Sequence, residues 1–471
     1  MKIDAVVLAA GLGKRMKSNT PKVLHKILGK PIINYITDAI NGVDAIDKTL
    51  IVVSPHTEAL VPLYKGTGTS IAWQNPPLGT ADALKSALIV NGGNFDYLLV
   101  LAGDVPLIRP ETLEALIGQH ITHNNALTLI TFNAAIPGSY GRIKRNPDGT
   151  IAGIIEENDA SDQEKTITEV NSGIYVFERT ALSYLDKIER NPKKGEFYLT
   201  DIVAICNSAG LRVEAALMAE EAEFVGVNSR ADLLAAQMLL QQRLAARWMA
   251  EGVTLMNIDS ILISPDVVIG MDTVIYPDVI LEGHTEIGQG CTIYPGVIII
   301  DTIVGDNVII KNSSVIENSE IEAQATIGPF AHLRPGSVVG IKAKVGNFVE
   351  IKNSTVGANT KVSHLSYIGD SQLGRDVNIG AGTITCNYDG KKKHRTVIKD
   401  NVFIGSGTEL VAPVTVGENA FVGAGSTITI DVPDDALAVA RGRQKNIHQW
   451  AAKKNLVQQK AMQHPNVEKI N

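Results

Sequence analysis

The chain has only three cysteines, Cys206, Cys291 and Cys386, an odd and scattered set. That excludes a disulfide-built scaffold and a thiolate metal site, and it predicts reduced thiols in a cytoplasmic protein. It also lacks an excess of basic charge. Its 43 lysines and arginines face 50 aspartates and glutamates, for a net charge of -7. A broad cationic face for nucleic acid is therefore not expected, whereas small anionic substrates need only a few well-placed cations. No apolar run approaches the ~18 residues of a membrane span. The opening Met1-Lys2-Ile3-Asp4-Ala5-Val6-Val7-Leu8 carries an acid inside its apolar run and lacks the basic start and cleavage site of a secretory leader.

What is present is enough for several cores. The 471 residues are 45% hydrophobic and 20% charged, a globular balance spread over more length than one core fills. The pattern changes near residue 250. Before it, Val6–Ala10, Leu50–Val53 and Tyr97–Ala102 read as fully buried strands, and Ala81–Val90 and Pro110–His120 as helices between them. Continuous apolar strands alternating with helices predict a mostly parallel sheet covered on both faces, with ligands beyond the carboxyl ends of its strands. Residues 229–250 predict one long connecting helix, capped by Ser229, spaced by Leu233, Leu240, Leu244 and Trp248, and ended by Gly252.

From about residue 255 a six-residue repeat takes over. An aliphatic residue opens each hexad, often followed by glycine, with a small or β-branched residue fifth, as in Ile327-Gly328-Pro329-Phe330-Ala331-His332 and Ile404-Gly405-Ser406-Gly407-Thr408-Glu409. Such a period offers the same residue types to a shared interior at every turn, which predicts a parallel β-helix. The expected organisation is a first domain over 1–228, a linker helix over 229–250 and a β-helix with a C-terminal arm over 251–471.

Two loops of the first part suggest phosphate chemistry. Leu8-Ala9-Ala10-Gly11-Leu12-Gly13-Lys14-Arg15-Met16 follows the first strand, and Pro21-Lys22 comes soon after. Glycines let backbone N–H groups face a polyphosphate, and Arg15 and Lys22 would supply cations. The Gly-Lys-Ser/Thr ending of a Walker loop is absent, as is the third glycine of a dinucleotide loop. Gly103-Asp104 closes another strand, and a carboxylate there suits Mg²⁺. In the repeat region, polar residues gather where the hexads are least regular: Arg334, Lys352, His364, Tyr367, Asn378 and Ala381. An excursion from Cys386-Asn387-Tyr388 through Lys391–Arg395 breaks the repeat, and insertions on a solenoid are where function concentrates. Acyl transfer to an amine needs a base, for which His364 is the candidate, oriented by Glu350. Arg334, Lys352 and Lys393 could clamp a sugar phosphate. A zinc site of three histidines is disfavoured, because His284, His332, His364 and His394 are dispersed. The tail after Gln444 reads as an exposed helix or arm.

Longer motifs add a resemblance. They are Pro21-Lys22-Val23-Leu24-His25, Gln74, Leu78-Gly79-Thr80-Ala81, Gly103-Asp104-Val105-Pro106, Tyr140-Gly141-Arg142-Ile143, Glu156, Asn171-Ser172-Gly173-Ile174, Glu196-Phe197-Tyr198-Leu199-Thr200-Asp201 and Gly226-Val227-Asn228. With them the first 230 residues resemble sugar-nucleotide pyrophosphorylases. Nearly the whole chain is similar to the bacterial bifunctional N-acetylglucosamine-1-phosphate uridylyltransferase/glucosamine-1-phosphate acetyltransferase family (GlmU). One departure is Lys14, where that family usually has threonine.

The resemblance implies a Rossmann-like α/β nucleotidyltransferase domain joined by a long helix to a left-handed β-helix. It implies that Leu8, Ala9, Gly11, Lys22, Gln74, Gly79 and Thr80 bind UTP, and that Gly141, Glu156, Asn171 and Tyr198 hold the acetylated sugar. Asp104 and Asn228 would coordinate Mg²⁺, and Lys22 and Arg15 would act on the phosphates. In the second half it implies His364 as base and Arg334, Lys352, Tyr367, Asn378 and Lys393 for glucosamine-1-phosphate. Ala381, Asn387, Tyr388, Ser406, Ala424 and Arg441 would serve acetyl-CoA. It further implies a homotrimer with sites shared between subunits, and a product, UDP-N-acetylglucosamine, that feeds cell-envelope synthesis.

Overall fold

Ile3–Leu8, buried on both faces, sits near the middle of a sheet ordered by residue ranges as 213–218, 127–133, 169–178, 97–102, 3–8, 46–53 and 70–73. The computed structural model describes residues 1–454 and 456. Their contacts define two units, Met1–Thr285 and Glu286–Asn471.

In the first unit Ile3–Leu8 pairs in parallel with both Ile46–Val53 and Tyr97–Ala102. The expected strands begin a few residues early, at Ile3 and Ile46, and the expected helices lie at Thr80–Asn91 and Pro110–Thr122. The pairing Leu8 with Ala102 ends both strands at one level, so the glycine loop and Gly103-Asp104 leave the sheet side by side. One strand departs from the parallel pattern: Glu169–Glu178 runs antiparallel to Tyr97–Ala102 and to Leu127–Asn133. It needs no crossover helix before it, only the hairpin Arg142–Arg145 and Ile151–Ile155, which pairs with it through Arg142.

The long helix is Arg230–Ala250, with Ser229 as its N-cap and Gly252 in the left-handed region (φ 89°) just beyond its end. It is more than a connector. Gln241 Nε2 donates to the carbonyl of Ile261 at 2.8 Å, and Leu244 and Ala245 line a small gap with Leu255, Ile258 and Ile263. The short strands Thr254–Leu255 and Leu262–Ile263 pack with this helix, and the contact boundary at Thr285 lies beyond the change of sequence pattern at residue 250.

In the second unit the hexads wind into three parallel faces. One includes Lys344–Asn347, Lys361–His364 and Asn378–Ile379, another Glu350–Lys352, Tyr367–Gly369 and Ile384–Cys386, and the third Thr355–Val356, Ser371–Leu373 and Thr396–Ile398. A coil returns after 17 or 18 residues, as in Lys344 with Lys361 and Thr326 with Lys344. The inward columns are aliphatic and sealed: Ile310, Ile327, Val345 and Val362 on the first face, and Ile316, Leu333, Ile351 and Ile368 on the second, are all fully buried. The fifth hexad position also points in, with Thr360, Thr408 and Ala420 fully buried, which is why it stays small. Beyond the coils, Trp450–Lys453 forms a short exposed helix. Residues 455 and 457–471 of the expected C-terminal arm lie outside the described residues. No helix among the described residues is long and apolar enough to cross a membrane.

His120, on the helix Pro110–Thr122, is fully buried, edge-on to Tyr97, with Nδ1 2.8 Å from Thr128 Oγ1. Burial pushes its imidazole from 6.5 down to about 4. It stays neutral when folded while the unfolded chain takes up a proton, so its contribution to stability is complete above pH 6.5 and is lost as pH falls toward 4. His120→Gln should flatten that acid slope in thermal unfolding scans between these pH values, and an unchanged slope would contradict the assignment.

Candidate active sites

The nucleotide-side candidate is built where the parallel strands end. Gly13 holds φ 59°, and a side chain there would meet Lys22 Cβ at 2.7 Å, so the glycine brings the loop down onto the lysine segment. Gly11 has nothing within 4 Å of a built Cβ, which leaves open space beside the loop. Lys22, Asp104 and Asn228 converge. Lys22 Nζ lies 2.5 Å from Asp104 Oδ2 and 3.0 Å from Asn228 Oδ1, with side chains of lysine and aspartate only 13% and 19% exposed. Asp104 also holds the segment carrying Asn228 through its carbonyl, which accepts from Val227 N at 2.8 Å.

An ammonium thus sits between one anionic and one neutral oxygen. Such a donor pair suits a hard divalent cation that takes its remaining ligands from phosphate and water. Among the described residues no group of three His, Cys, Asp or Glu side chains could hold a metal alone, so the residues present fit a shared rather than a caged ion.

Gln74, Gly79 and Thr80 form a second cluster. Buried Gln74 donates through Nε2 to Gly79 O at 2.9 Å and to Asp82 Oδ2 at 2.8 Å. Gly79 has φ 113°, and a side chain would strike Phe197 O at 2.5 Å, so only glycine lets the loop meet the Phe197–Leu199 segment. Thr80 Oγ1 accepts from Leu199 N at 2.9 Å. Nearby, Glu156 Oε1 accepts from Thr200 Oγ1 at 2.9 Å, and burial raises its carboxyl above the ordinary range. Burial and the acids around it, Glu196 and Glu156 among them, push the Tyr198 phenol up to about 12. Gly141 lies against Ile154 and Glu156, its carbonyl accepts from Asn171 N, and Asn171 Nδ2 donates to Tyr175 OH at 2.7 Å. Leu8 and Ala9 act through the backbone: Leu8 O accepts from Gly103 N, and Ala9 N donates to Val52 O. Arg15 stands apart, exposed, its Nη1 donating to Ser139 Oγ at 3.3 Å.

The second candidate lies on the coils. His364 Nδ1 is 2.7 Å from Asn347 Oδ1, one coil back and directly paired with it. Glu350, expected as its partner, instead accepts from Arg334 Nη1 at 2.9 Å. The reason is register: Asn347 and His364 share one face, whereas Glu350 lies on the next face opposite Tyr367. Lys352 pairs with Asp370 at 3.4 Å, and Asp370 also accepts from Asn353 at 2.7 Å and from Asn387 at 2.5 Å. Asn387 Nδ2 also reaches Tyr367 OH at 3.5 Å. Burial opposes the charge on Asp370, yet the bonds from Asn353, Asn387 and Lys352 hold its carboxyl below the ordinary range. Contact with Lys352, and charge from Arg334, lower the Lys393 ammonium below its usual range. Lys393, His394 and Arg395 border a cleft of about 340 Å³ with Gly336, Asn353 and Asp370.

The remaining candidates lie around this group. Asn378 pairs with Lys361, on the strand that ends at His364. Tyr388 is exposed, with its OH donating to Gly390 O at 2.7 Å. Ala381, Ser406 and Ala424 follow one another along a coil edge: Ala381 O accepts from Gly407 N, Ser406 O from Gly425 N, and Ala424 O from Arg441 Nη1. Sequence reasoning missed Asn347, Asp370 and Gly369. A side chain at Gly369 would meet Tyr367 OH at 2.5 Å and Asn387 Nδ2 at 2.7 Å, so the glycine keeps that corner free. A hollow of about 920 Å³ around Met1, Asp96 and Arg179 lies at the opposite end of the strand Tyr97–Ala102 from Asp104 and shares no residue with either candidate.

These features define a nucleotidyltransferase fused to a hexapeptide-repeat transferase. The family described as nucleotidyl transferase matches residues 4–242, and bacterial transferase hexapeptide (six repeats) matches 266–301 and 395–429. The chain is 50% identical over 452 residues to the bifunctional protein GlmU of Thermodesulfovibrio yellowstonii, covering 96% of this chain and 99% of that one. It is 48% identical over 445 residues to the bifunctional protein GlmU of Heliobacterium modesticaldum, covering 94% and 96%. The chain belongs to the GlmU family: its coil is the left-handed hexapeptide β-helix, and it joins a UDP-N-acetylglucosamine pyrophosphorylase to a glucosamine-1-phosphate acetyltransferase.

Asn347→Ala should lower the rate of acetyl transfer by roughly tenfold to a hundredfold, because it frees the imidazole of His364 to rotate and to change tautomer. Thiol release assayed alongside pyrophosphate release checks this, and an unchanged rate would remove Asn347 from the site.

Proposed function

We propose that the two activities use two separate anion pockets, Lys22–Asp104–Asn228 with Gln74–Gly79–Thr80 in the first unit and His364–Asn347 with Arg334–Lys352–Lys393 in the second. The observation that supports this most is that Lys22 in the first unit, and Arg334 and Lys352 in the second, are already paired to carboxylates, at a strand end and at coil corners.

In the first pocket a phosphate oxygen of N-acetylglucosamine-1-phosphate attacks the α-phosphorus of UTP, forming the new P–O bond as pyrophosphate leaves. Both reactants are anions, so charge neutralisation and alignment lower the barrier, and no protein nucleophile is required. Lys22, and Arg15 swinging from Ser139, meet the phosphates. When bound by Asp104 and Asn228, Mg²⁺ would neutralise phosphate charge. The two donor bonds of Gln74 occupy its NH₂ group and leave Oε1 free to accept. An acceptor suits the imide N–H of uracil and not the bare ring nitrogen of cytosine. Gly141, Glu156, Asn171 and Tyr198 hold the acetylated sugar.

In the second pocket Asn347 Oδ1 accepts from His364 Nδ1–H, which leaves the Nε2 lone pair for the substrate amine. As the amine of glucosamine-1-phosphate attacks the acetyl-CoA carbonyl, His364 takes its proton, and the thioester bond then breaks to release coenzyme A. Arg334, Lys352, Tyr367, Asn378 and Lys393 receive the sugar phosphate. Asn387 and Tyr388 lie between it and the coenzyme, which follows the small edge Ala381, Ser406 and Ala424 to Arg441.

A homotrimer is supported by exposed aromatic stacks on the coils. Phe330 and Phe348 stack at 5.3 Å, and Phe403 and Phe421 at 5.5 Å, all more than 40% exposed. The scarcity and scatter of cysteine support a cytoplasmic setting, where the product would supply cell-envelope synthesis.

Two complementary knockouts test the division. Lys22→Ala or Asp104→Ala should cut pyrophosphate release by ~100-fold or more while thiol release from acetyl-CoA survives, and His364→Ala should do the reverse. A folded variant that lost both activities from either change would refute two independent pockets.

A further inference from the structure

Asn228, one of the two oxygen donors around the cation position, is the last residue before the capped start of the long helix. Its backbone N–H donates to Asp232 Oδ2 at 3.0 Å, and the same oxygen accepts from Ser229 N at 2.8 Å. Asp232 N in turn donates to Ser229 Oγ at 3.2 Å, which completes a capping box. An ordinary capping box needs only the bond to the N-cap residue. The additional bond reaches one residue further back and takes hold of Asn228 itself.

The neighbouring restraints all act on the same strip. Gly226 N donates to Tyr140 OH at 2.9 Å, and Val227 N donates to Asp104 O at 2.8 Å. Residues 226, 227 and 228 are therefore fixed by three successive backbone bonds, to a phenol, to the carbonyl of the other donor residue, and to Asp232. With φ and ψ held on both sides, Asn228 Oδ1 is aimed at the point where Lys22 Nζ sits, 3.0 Å away. The same helical turn also touches the lysine segment: Arg230 Nη1 lies 3.2 Å from Nδ1 of buried His25, three residues after Lys22.

We infer that Asp232 is a positioning residue of the pyrophosphorylase site, which holds Asn228 in place for the metal through its backbone rather than touching metal or substrate. This rests on the proposal that Asp104 and Asn228 ligate the divalent ion. Partners one bond behind a ligand typically change metal affinity by about 10–100-fold when removed.

The test is Mn²⁺ binding to the full chain in the presence of saturating UDP-N-acetylglucosamine, read from the electron paramagnetic resonance of the free ion. Asp232→Ala should weaken Mn²⁺ binding by about tenfold or more. Asp232→Asn keeps an acceptor oxygen and should recover most of that loss. Ser229→Ala removes the other half of the capping box and lowers thermal stability in the same way, yet should bind Mn²⁺ like the parent chain, because the bond from Asp232 to Asn228 remains. Equal losses in Ser229→Ala and Asp232→Ala would show plain helix capping and overturn the inference, as would full affinity in Asp232→Ala. Asp104→Asn separates the two levels. If it abolishes Mn²⁺ binding while Asp232→Ala binds with full affinity, the positioning role alone fails. If Asp104→Asn binds Mn²⁺ unchanged, the ligand assignment beneath it fails as well.

Discussion

Parallel register is the constraint on which both sites depend. In the first unit, pairing Leu8 with Ala102 stops two neighbouring strands at one level, so a glycine loop and an aspartate emerge together. In the second, pairing Asn347 with His364 and Glu350 with Tyr367 stacks chosen side chains one above another at the coil spacing. A slip of one residue in a coil would turn its functional side chains inward and its aliphatic ones outward, and a slip between the two strands would set the glycine loop and the aspartate at different levels. The buried columns of isoleucine, leucine and valine oppose that slip, and their packing is therefore what holds the chemistry in place.

Given that scaffold, the cations are stored rather than left bare. Lys22 is paired to Asp104, Arg334 to Glu350 and Lys352 to Asp370. Arg334 and Glu350 are each about 40% exposed, and water screens such a pair, so an arriving phosphate can claim the arginine at little cost. The Lys22–Asp104 pair is more enclosed, and taking its lysine away would leave a poorly solvated carboxylate. A divalent ion arriving with the nucleotide would compensate that carboxylate. The same logic explains why Lys393, beside Lys352 and Arg334, has a lowered affinity for its proton until an anion joins them.

Much of this was legible before any coordinates. Hexads such as Ile327–His332 and Ile404–Glu409 report their inward positions locally, and the strands with their following glycines report where ligands approach. What the sequence could not display was anything set by stacking or by a side chain's second bond. Glu350 looked like the partner of His364, yet Asn347 holds that position, because one coil is 17 or 18 residues and chain proximity says little about adjacency across it. Counting back one coil from His364 would have found it. Asp370 reads as an ordinary turn aspartate, in the left-handed region where Asp and Asn are common, and only its three partners reveal its place. The Ile174–Phe177 half of the antiparallel strand Glu169–Glu178 is as apolar as the strands beside it, so its direction was hidden. Asp232 stands three residues after Ser229, the place of an ordinary capping carboxylate, and that spacing says nothing of its bond to Asn228.

The most direct test of the central claim is a crystal structure of the full chain with UDP-N-acetylglucosamine, Mg²⁺ and coenzyme A. Separate pockets predict a cation on Asp104 and Asn228 with Lys22 Nζ released toward phosphate, and coenzyme A along Ala381, Ser406 and Ala424. A nucleotide bound while Lys22 still bridged Asp104 and Asn228, or a coenzyme seated away from that coil edge, would contradict it.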